Sequence, residues 1–461
     1  MSNLWKDIIE SIKGTEQDFT KGKISRAIIL LSIPMVLEMA MESIFALTDI
    51  FFVSRLGEDA VAAVGITESI MTFIYAIGGG LSMAATGMIA RRIGEKRPDK
   101  ASVAAAQAII AGFLISMILA LPGILLSTNI LKLMGLDKSV IESGHNYTEI
   151  MLAGNGIIIL LFVNNAIFRS AGDAAISMRV LFFANITNIL LDPCLIFGLG
   201  PFPELGITGA AVATTIGRGT AVIYQFYLLN KGTDRIQLKL KYIVPRINIM
   251  FKLLKLSGGG IGQYLIATAS WVALYRIVAE FGKEAVAGYT IALRIIIFAL
   301  LPSWGMSNAA ATLVGQNLGA KKPQRAARSV FITSIANACF LLIITLILIA
   351  IPDFFIDFFH QQPDVQAIAV TSLRIISYGF VFYAIGMVIT QAFNGAGDTY
   401  TPTLLNLLCF WLIEIPLAYT LSILNGLNER GVFWAIVIAE SILTILGIII
   451  FYRGKWKLRK V

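Results

Sequence analysis

Twelve long apolar stretches separated by short polar segments are the feature of this sequence that most limits its fold. Each is long enough to cross a hydrocarbon core of about 30 Å as a helix. Backbone polar groups in lipid must pair within their own segment, and the stretches are continuous rather than alternating, so they predict helices and not a membrane β-barrel. The stretches lie at 27–52, 60–90, 102–126, 146–168, 174–198, 206–229, 256–280, 284–310, 329–351, 370–394, 402–424 and 432–452.

The composition agrees with an all-α polytopic membrane protein. Of the 461 residues, 57% are hydrophobic and 14% are charged, whereas a soluble domain has about 25% charged residues. The three cysteines lie in apolar stretches without the spacing of a disulfide framework or a zinc site. The sequence shows no combination of a nucleophile, a base and an orienting group that is typical of an enzyme active site. We therefore predict a protein that is not an enzyme and binds no cofactor.

The basic residues predict the orientation in the membrane. With the N-terminus in the cytoplasm, most of the 37 Lys and Arg residues fall on the cytoplasmic side. The positive-inside rule then predicts that both termini are cytoplasmic, in a multi-pass protein of the inner (cytoplasmic) cell membrane. This distribution accounts for the net charge of +9 without a nucleic-acid partner. The exceptions are five residues outside (Arg55, Lys132, Lys138, Lys283, Arg430) and four within spans (Arg218, Arg276, Arg294, Arg374).

An internal repeat divides the chain into two similar halves, because the same residue types recur 225 positions apart. Each copy contains six predicted helices, an even number, so the copies share one orientation and are related by a pseudo-two-fold axis along the membrane normal. Transporters built in this way keep their substrate between the halves. The matched residues include Gly57 and Gly282, Ala60-Val61-Ala62 and Ala285-Val286-Ala287, and Ala171-Gly172-Asp173 and Ala396-Gly397-Asp398.

The repeat sets the predicted domain boundaries. Two six-helix lobes are expected, and the longest polar segment joins them. That segment alternates apolar and polar residues before a more helical run, which is typical of a linker at a membrane surface. The predicted parts are a cytoplasmic tail at 1–25, an N-terminal lobe at 26–230, a cytoplasmic linker at 231–255, a C-terminal lobe at 256–453 and a cytoplasmic tail at 454–461.

The first predicted span carries three acidic residues, Glu38, Glu42 and Asp49. Their spacings of four and seven residues place all three on one helical face. An ionisable group at mid-membrane costs at least about 2.5–3.5 kcal/mol, so this face cannot point at lipid. Pro34 lies one turn before Glu38, where it removes a backbone donor and predicts a bend in the helix.

Two later spans of the same half add polar groups. Asn188 and Asp192 lie one turn apart before a proline, and Thr214 precedes Arg218 by one turn. With Asp49, these oxygen-bearing side chains predict a site for a proton or a sodium ion. Two close carboxyls could share a proton, and the carboxylates with an Asn carbonyl and a Thr hydroxyl could bind Na⁺ at Asp49 and Asp192. The sequence leaves both ions open.

The repeat provides a comparison within the chain. The counterparts of Asp49 and Asp192, 225 positions later, are Leu274 and Leu417. The fold therefore does not require an acid at these positions, which favours a functional role. Glu38 and Glu42 also lack acidic counterparts. They could line a substrate cavity, or simply line a wet cavity or pair with Arg218.

Three further charges at membrane depth are weaker candidates for the substrate cavity: Glu68, Arg294 and Glu414. We expect Arg294 to pair with Glu280 or Glu414, although it could instead meet an anionic part of a substrate. The glycine runs 78–80 and 258–260 lack the context of a phosphate-binding loop. They predict close helix contacts or hinges.

Several motifs together resemble the multidrug and toxic compound extrusion (MATE) family. They are Pro34, the segment Leu-Thr-Asp-Ile-Phe-Phe-Val-Ser-Arg-Leu-Gly at 47–57, Asn-Ile-Leu-Leu-Asp-Pro at 188–193, both Ala-Gly-Asp turns and the twelve-helix length. The resemblance covers essentially the whole chain. It implies a V-shaped pair of six-helix lobes that export organic, often cationic, compounds in exchange for Na⁺ or H⁺.

Within that family the chain resembles the DNA-damage-inducible F (DinF) branch, which places its coupling acids in the N-terminal lobe. This resemblance implies that Asp49, Asn188, Asp192 and Thr214 form the cation site and that Pro34 is the bend of the first helix. Another branch uses acids in helices 7 and 10. Between Gln263 and Leu274 no carboxylate is present, which weighs against that second arrangement.

Two alternatives stay open at this stage. The loop at 87–96 is distantly similar to a motif of the major facilitator superfamily, although Arg91 stands at the acidic position of that motif. A flippase for lipid-linked saccharides, from the same superfamily as MATE, could use Arg294 and Arg374 to meet phosphate. For the exporter, the expected partners are a small, drug-like molecule and the lipid bilayer, and we expect a monomer.

Overall fold

The computed structural model describes residues 2–14, 17–359 and 362–459, so the ends of both predicted tails lie outside the described residues. Within these ranges the chain is helical and contains no β-strand. In chain order the helices are α1 (Ser2–Lys13), α2 (Ile24–Val53), α3 (Glu58–Gly94), α4 (Pro98–Leu133), α5 (Lys138–Ala153), α6 (Asn155–Ala171), α7 (Ala174–Phe197), α8 (Ile207–Lys231), α9 (Ile247–Val278), α10 (Lys283–Gly319), α11 (Pro323–Ala350), α12 (Pro352–Ile356), α13 (Pro363–Ser377), α14 (Phe380–Gly395), α15 (Tyr400–Asn406), α16 (Ile415–Tyr419) and α17 (Glu429–Tyr452). Two π-helical segments, Leu407–Glu414 and Thr420–Leu424, follow α15 and α16.

The described helices include nine that are long and apolar enough to cross a membrane, or up to eleven when each of two bent pairs is one span. The pairs are α5–α6, bent by 40°, and α13–α14, bent by 53°. Gly154 and Gly379 lie at these two breaks, 225 positions apart. The remaining predicted stretch, 206–229, forms the 25-residue helix α8. Helix α8 is not among the nine sufficiently apolar helices because its Thr, Gly and Arg residues lower its mean hydropathy.

The repeat found in the sequence recurs in the element boundaries. Both ends of α10 lie 225 positions after the corresponding ends of α3. Gly172 and Gly397, after α6 and α14, both have positive φ, 100° and 80°, a conformation that favours glycine. The two largest buried apolar clusters draw on separate stretches, 53–253 and 274–437. Each half of the chain thus has its own core.

The two halves meet through four helices in a reciprocal arrangement. Helix α2 packs on α10, and its repeat counterpart α9 packs on α3, the counterpart of α10. Where α3 meets α9, a side chain on Gly80 would collide with Ile261 and one on Gly260 would collide with Gly80. The predicted role of the glycine runs in close helix contact is confirmed at these positions.

A second set of glycines joins α3 directly to α10. A Cβ on Gly94 would overlap the main-chain oxygen of Gln316, and a Cβ on Gly319 would overlap that of Arg91. Gly319 and Gln316 are the repeat counterparts of Gly94 and Arg91, so the same contact is made in both directions. We define the contacts around Gly94 and Gly319 as the glycine seam.

The N-terminal segment crosses the glycine seam. Lys96 pairs with Asp18 at 2.7 Å, while from the other half Lys322 donates to the carbonyl of Thr20 at 2.8 Å. Arg325 donates to the carbonyls of Phe19, Lys21 and Gly22. Burial acts to raise the pKa of Asp18, but hydrogen bonds from Lys96 and Thr20 outweigh it and hold that pKa below its usual value. Asp18 therefore stays ionised, and paired, until the pH falls far below neutral.

The C-terminal segment crosses the same seam. Arg91 of the N-terminal half donates to the carbonyl of Arg459, whose guanidinium pairs with Asp398 of the C-terminal half at 3.1 Å. Trp456 is buried and stacks on Phe451. The described segments 17–22 and 456–459 therefore lie at one face of the bundle, which we name the terminal face, and both bind the two halves together there.

We predict that Gly94→Ala loosens the glycine seam. The added methyl group has no space beside Gln316, so the variant should lose about 1–3 kcal/mol of stability, seen as a lower Tm in detergent. Gly65→Ala is the matched control, since Gly65 lies on the same helix with nothing within 4 Å of its Cβ position. It should leave Tm unchanged or slightly raised. An equal decrease of Tm in the two variants would contradict the close helix contact at Gly94.

We also predict that Lys322→Ala with Arg325→Ala releases the N-terminal segment. Four backbone carbonyls between Phe19 and Gly22 lose their donors, so trypsin should cleave after Lys21 and Lys23 faster than in the parent protein. Arg328→Ala, an exposed position on the same helix, is the control and should leave the cleavage rate unchanged. Cleavage at the parental rate in the double variant would contradict the docking.

Candidate functional site

The acidic face of α2 is directed into the N-terminal half. Glu38 is 1% exposed and pairs with Arg169 of α6 at 2.7 Å. Asn165 donates to the same carboxylate oxygen at 3.1 Å, and Gln225 of α8 donates to Asn165 at 2.6 Å. The expectation that Glu38 could pair with Arg218 is therefore wrong. Arg169 lies nearer because Glu38 and the end of α6 occupy the same level of the bundle.

The same contact exists in the C-terminal half without charge. Gln263 and Asn394, the repeat counterparts of Glu38 and Arg169, exchange hydrogen bonds at 3.0 and 3.2 Å. Both halves thus place a buried polar pair where the first and fourth helices of the repeat meet. This equivalence favours a structural role for the Glu38 contact over ion coupling.

The second acid of the face does pair with Arg218. The distance from Glu42 to the Arg218 guanidinium is 3.6 Å, and this guanidinium lies over the Phe45 ring at 4.5 Å from its centre. Arg218 also interacts with Tyr75 of α3, whose hydroxyl donates to Glu68 at 3.4 Å. Arg218 therefore balances two acids, Glu42 and Glu68.

Asp49 and Asp192 form the remaining acidic group. Asp192 is 0% exposed and lies close enough to Asp49 for the two carboxyls to interact electrostatically. The Asn188 amide is shared between Asp192 at 3.2 Å and Thr214 at 3.4 Å. The four residues predicted from the sequence are thus brought together, on α2, α7 and α8.

This group differs from Glu38 and Glu42 in forming no ion pair; Arg218 interacts with Asp49 electrostatically only at longer range. One oxygen of each aspartate and the carbonyl oxygen of Asn188 are buried without a hydrogen-bond partner. Among the described residues no lysine or arginine forms an ion pair with Asp49 or Asp192. Buried carboxylates without a counter-charge are costly, so the arrangement is suited to taking up a proton or a small cation.

Pro34 lies inside the continuous helix α2, which runs through it from Ile24 to Val53. A proline there leaves a backbone carbonyl without its helical partner and lowers the cost of bending. The described helix has no interruption at this position.

Two other expectations concern the C-terminal half. Arg294 is exposed on α10 and forms no ion pair with Glu280 or Glu414 in the described part of the chain; Glu280 pairs instead with Arg276 at 2.8 Å. The expected pairing of Arg294 is therefore wrong, because a neighbour one helical turn away already occupies Glu280. Glu414 is 3% exposed and lies apart from the acids of α2.

Sequence reasoning missed Arg169, Asn165 and Tyr75 as members of this network. Arg169 lies in the last turn of α6, at the end of a predicted span, where the positive-inside rule predicts a basic residue that faces the cytoplasm. The spacing of seven residues between Glu68 and Tyr75 places them on one face of α3, so this contact carried a detectable signal.

We predict that a single substitution at the Glu38–Arg169 contact lowers the stability of the protein and that a second substitution restores most of it. Glu38→Gln leaves Arg169, whose side chain is 11% exposed, without its counter-charge and should lower the free energy of unfolding by about 3–5 kcal/mol. Adding Arg169→Asn installs the neutral pair of the other half and should recover most of that loss. Thermal unfolding in detergent measures both. A double variant no more stable than Glu38→Gln alone would contradict the structural reading.

Comparison with solved structures supports the fold. A MOP superfamily transporter from Pyrococcus furiosus, described as having a binding pocket of reverse polarity that suggests a different function, superposes with a TM-score of 0.88 at 24% identity and covers 96% of this chain and 98% of its own. A multidrug resistance MATE transporter in an outward-facing conformation gives a TM-score of 0.89 at 24% identity, covering 95% and 97%.

Similar sequences are described as transporters. They include a probable multidrug resistance protein, YoeA, from Bacillus subtilis (24% identical; 96% of this chain and 97% of the relative), a probable multidrug resistance protein, NorM, from Thermotoga maritima (26%; 95% and 94%), and an FAD transporter from Shewanella oneidensis (27%; 93% and 94%).

The family model described as MatE matches residues 34–194 and 261–420, once in each half of the chain. This match gives the major facilitator alternative no support. It includes Asp49, Asn188 and Asp192, but its first part ends before α8, which carries Thr214 and Arg218. The chain therefore belongs to the MatE family, a family of membrane transporters and not of enzymes.

Proposed function

We propose that this protein is a secondary active antiporter that exports organic, cationic or amphipathic compounds in exchange for H⁺ or Na⁺. The observation that carries the proposal is the pair Asp49 and Asp192, two interacting carboxyls with buried, unpartnered oxygens that form no ion pair with a basic residue in the described chain. Multidrug export by similar proteins supports the substrate class.

The coupling ion binds between α2 and α7 in this proposal. A proton could be shared by the two carboxyls, since like charges at close range oppose double ionisation. A sodium ion could instead be bound by oxygens of Asp49, Asp192, Asn188 and Thr214, because a hard cation prefers several such ligands. Either ion removes the repulsion between the aspartates and so favours closer packing of α2 against α7.

We propose Pro34 as the point at which α2 responds. With a cation bound, α2 bends at Pro34 and narrows the cavity of the N-terminal half, which expels the substrate. Glu42, Glu68 and Arg218 border this region, and Thr214, Thr215 and Arg218 line a small cavity beside it. This role of Pro34 agrees with the DinF-like branch that the sequence resembles.

The proposed arrangement has twelve spans, with α8 as the twelfth, and two lobes at 26–230 and 256–453 about a pseudo-two-fold axis. The reciprocal packing of α2 on α10 and of α9 on α3 supports such an axis. We propose a monomer in the inner cell membrane with the terminal face in the cytoplasm and the linker 231–255 on that side. The contacts at the terminal face, including the glycine seam, then close the cytoplasmic side of the protein. In this proposal the structure therefore corresponds to an outward-open state.

A flippase for lipid-linked saccharides is the second candidate function. Arg294 and Arg374 are exposed on α10 and α13, which pack together, and both could meet phosphate. The similarity to an FAD transporter, whose substrate carries phosphates, also favours an anionic cargo. Drug susceptibility of cells that express the protein, compared with accumulation of lipid-linked intermediates in cells that lack it, separates the two functions.

We predict that Asp49→Asn abolishes ion-driven transport. In proteoliposomes with proton and sodium gradients imposed separately, the parent should move a fluorescent organic cation under one gradient, whereas the variant should match empty liposomes because Asn cannot exchange a cation. Asp59→Asn, an exposed acid at the start of α3, is the control and should retain transport. Undiminished ion-driven transport by Asp49→Asn would remove the central role of that residue.

A further inference from the structure

The N-terminal helix α1 exposes a face made of large apolar side chains. Trp5 is 68% exposed, Leu4 53%, Ile9 50% and Ile12 39%. At about 100° per residue these four side chains and that of Ile8 fall within roughly 140° of the helix circumference. They therefore form one continuous surface, which we name the apolar face of α1. Apolar side chains of this size are unfavourable in water.

Ion pairs hold the other side of α1 against the bundle. Arg26, in the first turn of α2, pairs with Asp7 at 3.0 Å and with Glu10 at 2.6 Å. Ser11 lies on the same side of α1 and is buried. A helix on the surface of a soluble protein directs its apolar side inward and its polar side outward. Helix α1 does the opposite, which indicates that its apolar face contacts something other than water.

Two lysines border the apolar face. Lys6 and Lys13 are exposed, and their spacing of seven residues places them on one line along α1. Because the acids of α1 are already paired with the bundle, its unpaired charge within the described residues is positive. Lys21 and Lys23, which follow along the chain, are exposed as well. This side of α1 is therefore complementary to an anionic surface.

The position of α1 places the apolar face at the membrane surface. Arg26 directly precedes the first apolar stretch, so α1 lies beside the point where α2 enters the membrane. The turn after α1 packs on the start of α7, since a Cβ on Gly14 would lie 2.8 Å from the Arg179 guanidinium. One turn further along α7, Phe182 and Phe183 are each 53% exposed, as side chains that face lipid are. The lipid-facing surface of the bundle therefore begins beside α1.

We propose that α1 is an interfacial helix that binds the surface of an anionic phospholipid membrane. Its apolar face lies among the acyl chains, Lys6 and Lys13 meet lipid phosphates, and Arg26 holds its acidic side on the bundle. An amphipathic helix of this kind lies in the plane of the interface.

Binding of α1 to lipid has a consequence for the terminal face. Helix α1 leads into segment 17–22, which joins the two halves across the glycine seam. A helix held in the membrane surface therefore anchors that segment and favours the closed arrangement of the terminal face. This inference requires only that the bundle is inserted in a membrane. It is independent of the ion and the substrate proposed above.

The first test measures where residue 9 lies in the full-length protein reconstituted in vesicles. Ile9→Cys is introduced after the three native cysteines are replaced by alanine, and it is labelled with the fluorophore NBD. Quenching by spin-labelled phospholipid reports contact with lipid, and quenching by iodide on both sides of the membrane reports contact with water. The matched control carries the label at Asp234→Cys, an exposed position of the linker. Elution volume and Tm verify that each variant is folded.

In vesicles of equal parts phosphatidylcholine and phosphatidylglycerol, we expect the label at position 9 to be quenched by lipid and protected from iodide. The control label should show the reverse. In phosphatidylcholine alone, or with Lys6→Gln and Lys13→Gln, iodide quenching at position 9 should rise, since each lysine near an anionic surface strengthens binding about fivefold.

Three results would count against α1 as a lipid-binding helix. Equal iodide quenching at position 9 and at the control position in the mixed vesicles would overturn the proposal. Protection of position 9 from both quenchers would also overturn it, because it would indicate that protein, such as a second copy of the chain, covers the apolar face. Equal quenching in the two kinds of vesicle would overturn the assignment to anionic lipid.

A second measurement avoids the label, which is itself apolar. In the mixed vesicles, Trp5→Ser with Ile9→Ser should increase the rate of trypsin cleavage after Lys21 and Lys23 severalfold, because segment 17–22 loses its anchor. Rates are compared for molecules whose terminal face is outside. Leu133→Ser, an 87% exposed position at the far end of α4, is the matched control and should leave the rate unchanged. Cleavage of the double variant at the parental rate would overturn the anchoring of segment 17–22.

Discussion

Charge compensation inside an apolar helical bundle is the constraint on which the rest of this structure depends. Two of the acids at depth, Glu38 and Glu42, have an arginine within about 4 Å, and those contacts hold the helices in one arrangement. Asp49 and Asp192 form no such ion pair in the described chain, and in the proposed function an ion from water balances them. A bundle whose packing depends on a mobile ion has an energy that changes with ion concentration, which is the requirement for a coupled transporter.

Comparison of the two halves of the repeat distinguishes polar residues that the fold uses in both halves from polar residues that occur in only one half. At the Glu38–Arg169 contact both halves place a hydrogen-bonded polar pair, and the C-terminal half does so with Gln263 and Asn394. The geometry is therefore common to both halves and the charge is not. At Asp49 the other half has a leucine, so no contact of the fold explains that acid. Comparison of the halves thus assigns roles that burial by itself cannot assign.

The sequence allowed prediction of the helices, of the repeat and of the grouping around Asp49, because hydropathy, residue identity and helical spacing are local properties. It did not allow prediction of which arginine balances which acid. Arg169 looked like a loop charge, and Arg294 looked like a partner for Glu414, because pairing depends on the relative rotation and depth of helices that are distant in the chain.

The glycine seam has a consequence for how the terminal face opens. Main-chain atoms in contact at Gly94 and Gly319 attract one another only at short range, and a gap of 0.5–1 Å already removes about a quarter to a half of such dispersion energy. Partial separation would lose this attraction without admitting enough water to replace it. Opening is therefore favoured as an all-or-none event, and half-open intermediates should be sparsely populated along that route.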